Sequence, residues 1–215
     1  MKSVAVVLSG CGVFDGSEIH EAVCTLLALD KLGISYQCLA PNITQTQVVN
    51  HLTHQPMQEE RNVLVESARI ARGDTLDISK ANVDDYDAAI YPGGFGAVLN
   101  NSSFALQGVN FEIQPDVLAF AKGMATAKKP QGFLCISPVL ISQIYGEGVQ
   151  LTIGNDQPTT DAVTAMGGIH IETSVSEIVI DQKHRVVSTA AYMLANGITE
   201  VAEAVDKLVN ALLAF

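Results

Sequence analysis

The chain has 215 residues, of which 48% are hydrophobic and only 16% charged, with a formal net charge of −11. This composition supports a sizeable buried core and excludes a disordered chain. The 12 Lys+Arg form no basic run, so no nucleic acid and no membrane surface is expected as a partner, and no apolar stretch approaches the ~20 residues that span a bilayer.

Residues 3–8 read as a buried strand running into the turn Ser9-Gly10-Cys11-Gly12, not as a signal peptide. A helix is predicted over 17–32, with Ile19, Val23, Leu26 and Leu27 on one stripe, Asp15 and Glu18 as a capping box and Gly33 as its stop. A second strand over 35–39 ends at Pro41-Asn42, and a polar segment follows over 42–58. A second helix covers 59–72, and a strand over 87–91 ends in Pro92-Gly93-Gly94. After a long loop over 96–114 come a helix over 115–128, a strand over 131–134 and a helix over 137–145. The remainder reads as a strand over 149–153, a short helix over 160–166, a β-hairpin of 177–180 with 185–189, and a closing helix over 198–213.

Strands alternating with helices mean βαβ units. The fold class is therefore α/β, a mainly parallel sheet sandwiched by helices with a small β-hairpin addition, in a single domain over 1–215. The four cysteines Cys11, Cys24, Cys38 and Cys135 form no C-x-x-C pair. Reduced thiols and a cytoplasmic location are expected, with no zinc site.

Ligands of an open α/β sheet bind outside the carboxyl ends of its strands. Three segments compete for that place: 9–16, 92–96 and 135–138. The first has glycines at 10, 12 and 16, but Phe14-Asp15-Gly16-Ser17 delays the helix start and the second strand lacks a terminal acid. A tight glycine turn is favoured there over a dinucleotide fingerprint. The third puts Cys135 at a strand-to-helix junction, where helical N–H groups and the dipole are expected to lower a thiol pKa. The bland alternative is a buried core cysteine. Cys11 is a weaker candidate, and Cys24 and Cys38 read as core. In the middle segment Gly93 and Gly94 read as a tight turn, or else the Gly94 N–H pairs with that of Ile136 as an oxyanion hole. Glu18 and Glu21 either complement a helix dipole or face the crevice. A glutamate beside a thiolate would have to be largely protonated, sharing its proton with Cys135 or with substrate. Of the histidines, His184 reads as solvated at a hairpin tip. His20, His51, His54 and His170 have no assigned place against Cys135.

The run from Val6 to Glu21, VVLSGCGVFDGSEIHE, resembles the start of ElbB-like proteins, a branch of the ThiJ/PfpI superfamily related to class I glutamine amidotransferases. Asn50-His51-Leu52-Thr53, Arg61-Asn62-Val63-Leu64, Pro92-Gly93-Gly94-Phe95-Gly96, Leu151-Thr152-Ile153-Gly154 and Ala191-Tyr192-Met193-Leu194-Ala195 extend the likeness nearly end to end. The resemblance implies a flavodoxin-like, doubly wound sandwich and a homodimer. It implies that Cys135 is the elbow nucleophile, Glu21 the acid bonded to it and Gly94 an oxyanion donor. It implies cofactor-independent glyoxalase chemistry on a small aldehyde, glyoxal to glycolate, with no cofactor or metal. The stretch Ile153-Gly154-Asn155-Asp156 lacks the histidine that many relatives place there, and no late His followed by Glu appears around 189–200. Glutamine hydrolysis is disfavoured on that ground. A redox-sensing or chaperone-like thiol protein stands as the alternative to the glyoxalase.

Overall fold

The computed structural model describes residues 2–215. Val4, Val6 and Leu8 of the first strand, β1 (Ser3–Val7), and its exit pack on one side, and Ala5 and Val7 on the other. All five are at most 1% exposed. An apolar strand with both faces buried belongs in the middle of a parallel sheet. The main sheet has seven strands. These are β1, β2 (Ser35–Ala40), β5 (Thr75–Asp77), β6 (Ala88–Tyr91), β7 (Gln131–Leu134), β10 (Ile178–Asp181) and β11 (Val186–Thr189), in the order β10-β11-β7-β6-β1-β2-β5. Every pairing is parallel except β10 with β11. Two short pairs lie apart: β3 (Val49–Asn50) with β4 (Gln55–Pro56), and β8 (Gln150–Leu151) with β9 (Ile169–His170).

Helices α1 (Ile19–Lys31), α2 (Val63–Ile70) and α8 (Ile198–Leu213) cover one face. The other carries α5 (Pro115–Thr126), α6 (Ile141–Tyr145) and α7 (Gln157–Ala165), with α3 (Phe95–Leu99) and α4 (Phe104–Gln107) inside the long loop. The flavodoxin-like α/β sandwich is thus present. Strand β7 and helix α8 have their expected bounds, whereas β5 was not foreseen.

Several elements depart from expectation. The stripe Ile19, Val23 and Leu27 of α1 is 41–47% exposed, and the buried face is instead Glu21, Ala22, Cys24, Thr25, Ala28 and Leu29. Small side chains let α1 approach the sheet and α8 closely, so packing overrides the apolar periodicity. The Asp15–Glu18 capping box does not form. Glu18 is itself the N-cap, and Asp15 accepts a hydrogen bond from the Val49 N–H at 2.8 Å. The 177–189 hairpin joins the main sheet as its edge, while the 149–153 segment contributes only β8 outside it. The 137–145 helix splits into a 3-10 turn over Ser137–Leu140 and the five-residue α6. His184 is not simply solvated: its Nδ1 lies 2.8 Å from Asp181 Oδ2 in a half-buried pair.

Candidate functional site

Four adjacent strands, β11, β7, β6 and β1, point their carboxyl ends at one place. Directly after β7, Cys135 adopts φ +59°, a left-handed conformation that a side chain tolerates only when its surroundings hold it there. Its N–H donates to the Thr189 carbonyl at 3.0 Å. The Ser137 hydroxyl donates to the Tyr91 carbonyl at 2.7 Å and accepts from the Leu134 N–H at 2.9 Å, fixing the elbow to β6. Gly93 is required by close approach. A Cβ there would lie 2.4 Å from Cys135 Cβ, 2.8 Å from Glu21 Oε2 and 2.9 Å from the sulfur.

Glu21 enters from the first turn of α1 and is fully buried. Its Oε2 accepts from the Gly93 N–H at 2.8 Å and its Oε1 from the Tyr192 N–H at 3.2 Å, and its side chain also bonds Cys135. Glu18, at the N-cap, accepts from the Glu21 N–H at 2.7 Å and donates its own N–H to the Gly93 carbonyl at 2.9 Å. Burial, reinforced by the Glu18 charge, pushes the Glu21 carboxyl up to about 7, against the pull of its hydrogen bonds. Burial also holds the Cys135 thiol well above its usual range, and Glu21 adds to this. The Gly94 and Ile136 N–H groups bond the sulfur and oppose that rise without overcoming it. The expected lowering of the thiol pKa is therefore corrected. A 3-10 turn and a five-residue helix offer little dipole, and Cys135 is only 7% exposed.

The sulfur opens onto a cavity of about 450 Å³. Apolar walls come from Phe95, Val98, Phe104 and Met193, and polar ones from Glu18, Asp156, Thr159 and Tyr192. No Lys, Arg or His lines it. Glu18, Glu21, Gly93, Gly94, Cys135 and Ile136 thus come together as their sequence positions suggested, and Cys11 does not. Cys11 stays out of the cavity lining and lies in the field of Glu66 and Arg69 beside α2. His51 and His54 pack on Phe14, and His170 accepts from the Ile153 N–H. Sequence reasoning missed Tyr192 and Asp156. Tyr192 and Asp156 each stood in a quoted stretch with no role attached, and Asp156 proves to be the N-cap of α7, which starts earlier than the expected 160–166. Among the described residues, no group of three or more His, Cys, Asp or Glu is placed to hold a metal, and no helix is long and apolar enough to cross a membrane.

No family model matches the chain. It is 40% identical over 220 residues to the human glutamine amidotransferase-like class 1 domain-containing protein 3, mitochondrial, an alignment covering 98% of this chain and 82% of the relative. The crystal structure of an isoprenoid biosynthesis protein with amidotransferase-like domain from Ehrlichia chaffeensis superposes with a TM-score of 0.92 at 36% identity, covering 100% of this chain and 99% of that one. The chain belongs to the class I glutamine amidotransferase-like family. Glyoxalase III from Candida albicans shares the fold alone, with a TM-score of 0.63 at 14% identity over 98% of this chain and 97% of that one. The cytoplasmic expectation is corrected by the names of the similar proteins. The human relative and the ES1 proteins of rat and zebrafish are mitochondrial. All four cysteines are free thiols.

Proposed function

We propose that this family member is a cofactor-independent glyoxalase that converts glyoxal and other small uncharged 2-oxoaldehydes to 2-hydroxy acids, with Cys135 as nucleophile and Glu21 as proton shuttle. The observation that carries the reading is the contact between the Cys135 thiol and the Glu21 carboxyl, with the Gly94 and Ile136 N–H groups on the same sulfur.

In the resting site the sulfur keeps its proton and Glu21 is the available acceptor near neutrality. The sulfur bonds to one aldehyde carbon while its proton passes through Glu21 to the carbonyl oxygen, giving a hemithioacetal. The Gly94 and Ile136 N–H groups stabilise that oxygen as it gains charge. Glu21 then takes the hydrogen from this carbon and delivers it to the neighbouring carbon through an enediol. The first carbon is oxidised to a thioester and the second reduced to a hydroxymethyl group, so no external electron carrier is needed. Water cleaves the thioester, releasing glycolate and restoring the thiol.

Lining charge supports the substrate class. Glu18 and Asp156 face the cavity with no cation to balance them, which disfavours anions such as glyoxylate and gives a glutamine α-carboxylate nothing to pair with. A raised thiol pKa also argues against the redox-sensor alternative, because oxidation-sensitive cysteines are those with thiolate character. We further propose a homodimer, as the resemblance implies. The test is turnover of glyoxal, methylglyoxal and glyoxylate by the wild type, Cys135→Ser and Glu21→Gln. The expected result is loss of at least about a hundredfold in both variants, with glyoxylate a poor substrate. Wild-type-like turnover by either variant removes that residue from the reaction.

A further inference from the structure

Tyr192 is held by two consecutive residues of α1. Its backbone N–H donates to Glu21 Oε1 at 3.2 Å, and its phenol oxygen lies 2.7 Å from Nδ1 of His20, with the two rings 5.7 Å apart. The inward and outward sides of the first helical turn therefore grip one tyrosine. The residue before it, Ala191, is fully buried at φ +42°, a left-handed conformation for a side chain that gains nothing from it. Backbone in that region persists only when neighbours over-determine it. The β11 exit must turn sharply here because Thr189 is committed to the Cys135 N–H and Met193 to the cavity wall.

We infer that His20 and Tyr192 are positioning residues, a surface latch whose hydrogen bond keeps the strained 190–193 turn seated so that the Tyr192 N–H stays on the Glu21 carboxyl. The inference rests on the glyoxalase reading for its effect on turnover but not for its effect on the thiol. His20 is exposed, so its bond lies outside the core, and the group it controls lies inside. Glu21 faces Glu18 from its own helix, the Gly93 N–H from the loop after β6, Cys135 from the β7 elbow and Tyr192 from the turn after β11. Of the two backbone donors to the carboxylate, the Tyr192 N–H at 3.2 Å is longer than the Gly93 N–H at 2.8 Å, and it directly follows the left-handed Ala191. Releasing it takes away a donor that favours the ionised carboxylate.

The test uses the full chain with Tyr192→Phe, His20→Leu and His20→Asn, the last keeping a polar atom where Nδ1 stands. Two measurements are made: the pH dependence of Cys135 alkylation by iodoacetamide, which needs no turnover, and the rate of glyoxal conversion. Tyr192→Phe and His20→Leu are expected to move the acid limb of alkylation upward by roughly half a pH unit and to slow glyoxal conversion about tenfold at neutral pH. His20→Asn is expected to resemble the wild type. A latch that only stabilises the fold would lower the melting temperature and leave the limb where it is, and an unmoved limb in both disruptive variants overturns the inference. A moved limb in a protein that converts no aldehyde upholds the latch and sinks the glyoxalase reading.

Discussion

A carboxyl group sealed at Glu21 carries its burial into every property that depends on pH. Its ordinary value of 4.5 rises to about 7 in the folded chain, so between those limits the native state binds more protons than the unfolded one. Stability from this residue is fully present below about 4.5 and is lost as pH rises through about 7, an effect on the order of 3 kcal/mol at 1.36 kcal/mol per unit. Glu21→Gln, which cannot ionise, is expected to flatten the decline in stability between pH 5 and 8, measured by urea denaturation at each pH. Under the proposed reaction the same group sets the acid limb of kcat/KM, which should rise with pH through about 7. Glu18→Gln removes a charge that raises Glu21 and should move that limb to lower pH. A limb that stays put in this variant means that Glu21 does not control the rate. Strand ends and glycine turns marked the segments of Cys135 and Gly94, but that Glu21 meets the thiol came only from the family resemblance, since its position alone fits a helix-dipole role equally well. The direction of the thiol pKa was not legible, because it turns on burial from elements far away in the chain.

Segments meet at the site with almost no slack. Gly93 lies between the thiol and the carboxyl, and Gly94, at φ +91°, would put a Cβ 2.4 Å from the Glu18 nitrogen and the Gly16 oxygen. Gly93→Ala is expected to destabilise by about 1–3 kcal/mol through overpacking and to cut aldehyde turnover about a hundredfold through displacement of both groups. Normal turnover with only a lowered midpoint would show that the Cys135–Glu21 contact is dispensable. Helix α8 was readable because its apolar face is also its packing face. Helix α1 was misread because the residues that pack are two alanines, a cysteine, a threonine, a glutamate and only one leucine, Leu29, while Ile19, Val23 and Leu27 face outward. Hydrophobic period names a packing face only where the neighbour is far enough away to need large side chains.

At the scale of the whole molecule, the outward stripe of α1 is the feature that a lone copy leaves unexplained. Exposed Ile19, Val23 and Leu27, spaced one turn apart with Leu32 and Tyr36 nearby, form an apolar surface of the kind that marks association. For the proposed homodimer, Val23→Asp is expected to halve the mass measured by sedimentation equilibrium. A wild type that sediments as a monomer removes the dimer from the account. Topology was legible from the alternation of elements. The place of β8 and β9 off the sheet was not, since a two-residue strand carries too little pattern to show where it pairs.

Contributions to the cavity and its thiol come from residues as far apart as Val13 and Met193, carried by β1, β6, β7 and β11, which pair with one another in parallel across crossovers. Such long-range pairing forms late. Until those segments meet, Cys135 is an exposed thiol near its ordinary pKa, and the burial that holds its proton in place comes only with the last stage of assembly. Loss of Cys135 reactivity towards a mild electrophile, followed after dilution from urea, would then be a clock for that stage, lagging behind the recovery of helical signal.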